Sequence, residues 1–198
     1  MIRPATKDDI PQIVWCNRTA KNDNELVGYG PPLGKRVFAD EDKLRSNWHG
    51  NHVEEESVYV FEEDGRVLAY TQVRVDPDAV ELDNIDVASE HQRKGIGKAM
   101  VDFVESLAKN SGKHHVTLGT SRNTKTGKPW KSYGFWLRLG YVVDGETQTE
   151  DGKENGFAEI RFRKRVLPQV CVHATRPAQE NKRGFAGRQL SMHMCDVW

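Results

Sequence analysis

Between Glu90 and Gly97 the chain reads EHQRKGIG, with Gly95 and Gly97 set behind Gln92, Arg93 and Lys94 and followed by Lys98. Glycine has no Cβ, so backbone and ligand can approach closely at both positions. The first N–H groups of a helix starting there lack partners inside it and point outward at the positive end of its dipole. Backbone donors and cations together suit an anion such as pyrophosphate. A glycine pair on its own is equally a tight turn. A second chemical pair lies upstream: Glu81 and Asp83 stand at i and i+2, on one face of a regular strand unless a bulge separates them. In the last thirty or so residues, Cys171-x-His173 and His193-x-Cys195 carry metal-ligand chemistry without the usual C-x-x-C spacing, so no metal is expected.

The elements around the glycines favour the anion reading. VELDNIDV (Val80 to Val87) alternates as a central strand, and Lys98 to Ser111 follows as a helix. Met100, Val101, Val104, Leu107 and Ala108 form its apolar stripe. Strand, basic turn and amphipathic helix in that order exclude most ordinary turns. A P-loop is excluded because four residues and a Gly-Lys-Ser/Thr ending are missing. A dinucleotide fingerprint fails because position 100 is Met. Upstream, the first twenty residues read as a short strand and a helix, capped at Thr6 or Asp8 with Pro11 in its first turn. Residues 22–52 are rich in Gly, Pro and Asn, with one short helix near Asp40 to Trp48. SVYVFEEDGRVLAYTQVRV is a hairpin turning at Glu63-Asp64-Gly65. HHVTLGT and GFAEIRFRKRV are further strands, and KPWKSYGFWLRLGY is a helix stopped by Gly140.

Periodicity ends near Leu167. The reading is therefore one domain over 1–166 and a poorly ordered extension over 167–198. Phe185, Leu190, Met192, Met194, Val197 and Trp198 leave open docking on this chain or on a partner subunit, and hence a homodimer.

The chain has 198 residues and no net formal charge, which hides an asymmetry. Residues 1–90 hold 10 Lys and Arg against 19 Asp and Glu; residues 91–165 hold 15 against 8. Such halves suit two ligands of opposite charge, although blocks of charge are also ordinary solvated faces. No apolar run spans a bilayer, and the first residues lack the apolar stretch of a signal peptide. Three scattered cysteines argue against a disulfide framework, so the default setting is cytoplasmic. Nucleic acid is not expected as a partner.

NIDVASEHQRKGIGKAMVDFV resembles the acyl-CoA-binding motif of the GNAT acyltransferase superfamily, Q/R-x-x-G-x-G/A, matched by Gln92, Gly95 and Gly97. IRPATKDDIPQIV is similar to that superfamily's first strand and helix, and FWLRLGYVVDG to its late helix and following strand. The resemblance covers Ile2 to Val166. It implies an α/β (α+β) fold: a mixed, mostly antiparallel twisted sheet flanked by helices and splayed between the strands at 80–87 and 114–120. It also implies acetyl-CoA in that V as co-substrate, pantetheine along backbone near Ile85 and Val87, and pyrophosphate on Gln92, Arg93, Lys94, Gly95, Ile96, Gly97 and Lys98. Asn123 is the implied further contact to pantetheine, displaced by the insertion RNTKTGKP.

Transfer from a thioester to an amine needs a proton acceptor, a donor to the carbonyl and a proton for the thiolate. By resemblance, Glu81 matches the general-base glutamate of histone-acetylating members, and Asp83 matches that of spermidine/spermine-acetylating members. Either is otherwise a solvent-facing strand carboxylate. The family tyrosine of F-Y-x-x-L-G-F is Trp136 here, and an indole supplies no proton to a thiolate. Tyr133, one turn earlier, is the candidate acid; the alternatives are water, with Tyr133 as a packing aromatic. The acidic half favours a cationic amine acceptor: a polyamine, an aminoglycoside, a lysine or a peptide N-terminus. A non-catalytic acyl-CoA-binding regulatory domain is the other reading.

Overall fold

The structure, a computed structural model, describes residues 1–25, 36–53 and 55–167. The extension over 168–198, with its cysteines and histidines, lies outside the described residues, as does Glu54.

Strand β1 (Ile2–Pro4) leads through a 3-10 turn into helix α1 (Ile10–Glu25), and a second 3-10 turn precedes α2 (Glu41–Ser46). Two very short strands, β2 (Trp48–His49) and β3 (His52–Val53), then enter the hairpin of β4 (Glu56–Glu63) and β5 (Arg66–Val75). Strand β6 (Ala79–Val87), helix α3 (Ile96–Asn110) and strand β7 (His115–Asn123) form the central crossover. Helix α4 (Tyr133–Arg138), strand β8 (Val142–Thr147), helix α5 (Glu150–Asn155) and strand β9 (Phe157–Arg165) complete the described chain.

The sheet runs β2-β3-β4-β5-β6-β7-β9-β8, with β1 paired to β4. Every adjacent pair is antiparallel except β6 and β7. A parallel pair needs a long crossover, which α3 supplies. The mixed sheet flanked by helices is the architecture expected above.

Alternation on β5 divides two cores. Val67 and Tyr70 turn toward α1 and α2, where Ile10, Ile13, Phe38 and Leu44 are buried. Val73 turns the other way with Val80 and Leu82, against Val101, Val104 and Ala108 of α3 and Trp136 of α4. The α3 stripe is the one its sequence predicts, with Met100, Val101, Val104 and Ala108 fully buried.

Three features differ from expectation. The helix expected over KPWKSYGFWLRLGY is only six residues long, because Pro129 pairs with Arg122 in an extended bridge. The β2–β3 hairpin and α5 have no apolar period to announce them. Among the described residues, no helix is long and apolar enough to cross a membrane, and no group of three His, Cys, Asp or Glu is placed to hold a metal.

Candidate active site

The parallel pairing of β6 and β7 runs from Ala79 opposite His115 to Leu82 opposite Leu118, and there it stops. Beyond it, β6 continues to Val87 and β7 to Asn123. The cause is visible on β6. Asn84 pairs with Gln72 and Leu82 with Val73, so Asp83 is an extra residue without an opposite number on β5. Such a bulge bends its strand and raises its twist. Asp83 thus marks the vertex of a V.

The free edges of the V follow from strand geometry. The Ala88 N–H donates to the Leu68 carbonyl at 3.0 Å, so hydrogen-bonded pairs fall at 88 and 86. The backbone groups of Ile85 and Val87 therefore turn away from β5, into the V. On the far wall, the Thr124 N–H donates to Gly156, which turns Ser121 and Asn123 toward the V in the same way. That edge is covered by the chain itself. Asn123 N–H donates to the Lys128 carbonyl at 2.9 Å, and Trp130 N–H to the Ser121 carbonyl at 2.8 Å. The inserted residues thus fold back as a finger whose 128–130 segment runs along β7. The Asn123 side chain holds the finger's turn: its Oδ1 accepts from the N–H groups of Lys125 and Thr126, each at 3.0 Å.

At the mouth of the V, the turn from β6 to α3 has the conformation its residues permit. Gly95 caps α3 with φ +89°, and Arg93 also has positive φ, at 60°. Left-handed residues between right-handed ones turn successive N–H groups to one side, as an anion nest does. For Arg93, which has a Cβ, that conformation costs about 1–2 kcal/mol. Gln92 braces the turn, its Nε2 donating to the Val87 carbonyl at 3.1 Å. Ile96 is buried against Met100, and Lys98 lies exposed 2.6 Å from Asp102. A Cβ built on Gly97 would stand 3.6 Å from the Phe135 ring and 3.7 Å from Val87. At Gly97, α3 therefore lies against side chains of both β6 and α4. These features fit an acyl-CoA: a one-sided strand edge for the pantetheine amides and a cationic nest for the phosphates.

The two carboxylates have different surroundings. Glu81 is only 7% exposed. Its Oε1 lies 2.9 Å from Arg161 Nη1, and its Oε2 is bound by Arg74. Arg74 also holds Asp76 and Glu56, and Arg161 holds Glu159, so Glu81 sits inside an extended ionic network. Asp76, then the charge of Glu81, raises the Arg74 guanidinium above its ordinary range; Glu159 does the same for Arg161 against the effect of burial. Asp83 stands at the vertex, its Oδ2 accepting from Asn84 Nδ2 at 3.1 Å.

The aromatic residues of α4 are also divided. Phe135 faces Gly97 at the mouth of the V. Trp136 is buried between Phe135 and Tyr141. The Tyr133 ring packs edge-on against Phe162 of β9, 5.3 Å between centroids, and lines a cavity of about 260 Å³ with Arg122, Ile160 and Glu146. The structure therefore brings together Asp83, Ile85, Val87, Gln92 and the Arg93–Lys98 turn around the V, with Glu81 one step behind the vertex. It turns Tyr133 toward β9.

Sequence reasoning passed over Asp86, which alternates onto the α1 side. There its Oδ2 accepts from Tyr70 at 2.8 Å and from Asn17 at 2.9 Å, tying β6 to β5 and α1. It also passed over Gln72, whose only sequence-level signal is a carboxamide within an apolar strand.

Several solved structures share this architecture. The ribosomal-protein-S18-alanine N-acetyltransferase from Escherichia coli superposes with a TM-score of 0.60, at 17% identity, covering 87% of this chain and 97% of its own. A GNAT-family protein from Desulfovibrio desulfuricans gives 0.64 at 18% identity, over 84% and 99%. An aminoglycoside 6'-N-acetyltransferase complexed with coenzyme A gives 0.60 at 15% identity, over 86% and 99%. At these identities the likeness speaks for the fold. The sequence itself goes further, because the profile of the Acetyltransferase (GNAT) family matches residues 32–141, more than half of the 198. With the V, the bulge and the basic glycine turn inside that span, the chain belongs to the GNAT acetyltransferase family.

Proposed function

We propose that the protein transfers an acetyl group from acetyl-CoA to a primary amine, by direct attack of the amine with Asp83 receiving its proton. The observation that carries this reading is that one V joins a carboxylate displaced by a bulge at its vertex, a free strand edge along its wall and a cationic nest at its mouth. Ile85 and Val87 are the backbone partners for pantetheine, and residues 92–98 hold the phosphates. Asn123, whose Oδ1 is taken by the finger's own turn, keeps only its amide nitrogen for such a contact. Acetyl-CoA supplies the activated thioester. Backbone N–H groups along the β6 edge are the donors nearest to a carbonyl placed there.

Two arginines occupy both oxygens of Glu81, so using it as a base would first break an ion pair. Asp83 stands at the bulge where the pairing of β6 with β7 ends, which supports it as the base. We assign the leaving thiolate's proton to solvent, since Tyr133 packs on Phe162 and Trp136 is buried. The acceptor approaches a predominantly acidic half, which favours a cationic amine.

Free thiol released from acetyl-CoA in the presence of an amine panel tests the reading. Asp83→Asn is expected to lower turnover about 10²–10⁴-fold with acetyl-CoA affinity nearly intact. Glu81→Gln is expected to lower thermal stability more than turnover. The reverse pattern would make Glu81 the base. Acetyl-CoA binding without thiol release for any amine would favour the regulatory reading, which the missing family tyrosine supports.

A further inference from the structure

On a regular strand, neighbouring side chains point to opposite faces, so Asp83 and Asn84 would not meet. The bulge at Asp83 suspends that alternation. It brings Asn84 Nδ2 to 3.1 Å from Asp83 Oδ2. The same nitrogen donates to Gln72 Oε1 at 2.9 Å, and Gln72 is the residue opposite Asn84 on β5. A second bond from β5 fixes the Asn84 main chain. The hydroxyl of Thr71, itself buried, donates to the Asn84 carbonyl at 2.8 Å. Strand β5 thus grips Asn84 by both its backbone and its carboxamide.

The donors and acceptors of Gln72, Asn84 and Asp83 run in one direction. An ionised carboxylate only accepts hydrogen bonds, so Asn84 turns its nitrogen toward Asp83. Gln72 Oε1 takes the other N–H of that nitrogen. Turning Asn84 around would break both bonds and set its carbonyl against the carboxylate. Gln72 itself is wholly buried, and its Nε2 has no partner among the described residues. A buried donor left unpaired costs about 1–3 kcal/mol, whereas a methionine of similar size carries no such donor. For stability alone, glutamine is the poorer residue at this position. What it contributes is the oxygen that holds Asn84.

The consequence falls on the proton. Given the acetyl-transfer reading, on which this inference rests, the amine lone pair forms the N–C bond and the C–S bond breaks with its electrons going to sulfur. The thiolate takes a proton from solvent, and Asp83 receives the one that the amine nitrogen loses. An N–H facing Oδ2 keeps that oxygen an acceptor, which directs the incoming proton to Oδ1. Holding one oxygen also fixes the plane of the carboxylate, and with it the lone pairs of the other. An Asn84 free to turn would offer its carbonyl to a protonated Oδ2 and keep the proton on the wrong oxygen. We infer that Asn84 is the positioning residue of the proton acceptor, and that Gln72 is the buried anchor that keeps Asn84 a donor.

A double-mutant cycle tests this, with kcat read from thiol release on the best amine of the panel. Asn84→Ala is expected to lower kcat about 10–100-fold, with acceptor KM and acetyl-CoA affinity close to the parent's. In an Asp83→Asn background the same substitution is expected to change kcat less than about twofold, because the carboxylate it positions is gone. Gln72→Met is expected to lower kcat about 3–10-fold while its thermal midpoint stays at or above the parent's. Residues that only packed would show the opposite, a lower midpoint with kcat unchanged. Parental kcat in Asn84→Ala, or an equal loss in both backgrounds, would overturn the proposal. With Asp83→Asn still slow, the base assignment would survive that result. Parental turnover by Asp83→Asn would remove the base assignment and this proposal with it. If Asn84→Ala does not fold, the carboxamide of the parent is read directly by NMR. Its two N–H signals are expected to be distinct and slow to exchange, and one of them to move in Asp83→Asn. Signals exchanging as fast as those of a surface asparagine would overturn the proposal as well.

Discussion

The two glycines of the turn do different work, and single methyl groups separate them. At Gly95 the space beside the Cα is open, but φ of +89° disfavours any L side chain. Gly95→Ala is therefore expected to lower stability by about 1–2 kcal/mol, read as a shift in the thermal midpoint. At Gly97 the backbone is ordinary helix and a Cβ meets Phe135 and Val87 at normal contact distance. Gly97→Ala should fold as well as the parent, yet its methyl group stands where the V opens. Its acetyl-CoA affinity by calorimetric titration is expected to fall about tenfold or more, with unchanged melting. An affinity equal to the parent's in a folded Gly97→Ala protein would mean that the glycine serves helix packing alone. Cys16 belongs to neither site: burial pushes its thiol up to about 12, which leaves it a small apolar side chain under β5.

At the scale of elements, the entry into α1 rests on one carboxylate. Asp9 is buried, and its oxygens accept from Arg3 at 2.7 and 2.8 Å and from the Thr6 N–H and hydroxyl at 2.7 and 2.9 Å. Burial alone would raise its pKa, but the bonds from Arg3 and Thr6 outweigh burial and hold it below the usual range. A depressed carboxyl contributes stability that is present above its unfolded value and lost as pH falls through the folded one. Asp9→Asn should therefore cost about 1–3 kcal/mol at neutral pH. Below about pH 4 the parent loses the same contribution, so the gap in urea midpoints narrows. A gap independent of pH would contradict the assignment. The sequence allowed a cap at Thr6 or Asp8; the structure uses Thr6 with Asp9 in a reciprocal capping box. Elements with a strong period were legible in this way, α3 nearly to the residue. The bulge at Asp83 was not, because alternation reads through an inserted residue until the partner strand fixes the register. The finger was visible only as extra length, since polar residues 122–128 carry no sign of the edge that 128–130 will cover.

For the whole molecule, β9 brings the sheet to Arg165, and Val166 is buried in the core of α3 and α4. We propose that residues 1–166 form the acetyltransferase domain. A chain ending at Leu167 is expected to melt cooperatively within about 4 °C of the full protein and to bind acetyl-CoA with the same affinity. Aggregation of that shortened chain, or loss of binding, would make the remaining residues part of the domain. The basic turn between strand and helix was present in the sequence as order and spacing, whereas the fold class and the V were expected from the resemblance that its motif carries. The ion pairs that hold Glu81, and the burial of Gln72 and Asn17, depend on contacts between elements far apart in the chain. The finger along β7 has a bearing on solubility as well. A splayed sheet exposes two interior strand edges, and unsatisfied edges recruit strands from other molecules. Here one edge is sealed by residues 128–130, and the other is cut to the few residues between the bulge and the Gln92 brace. What remains open is a short, one-sided edge, so few backbone groups are left there for a strand of another molecule to pair with.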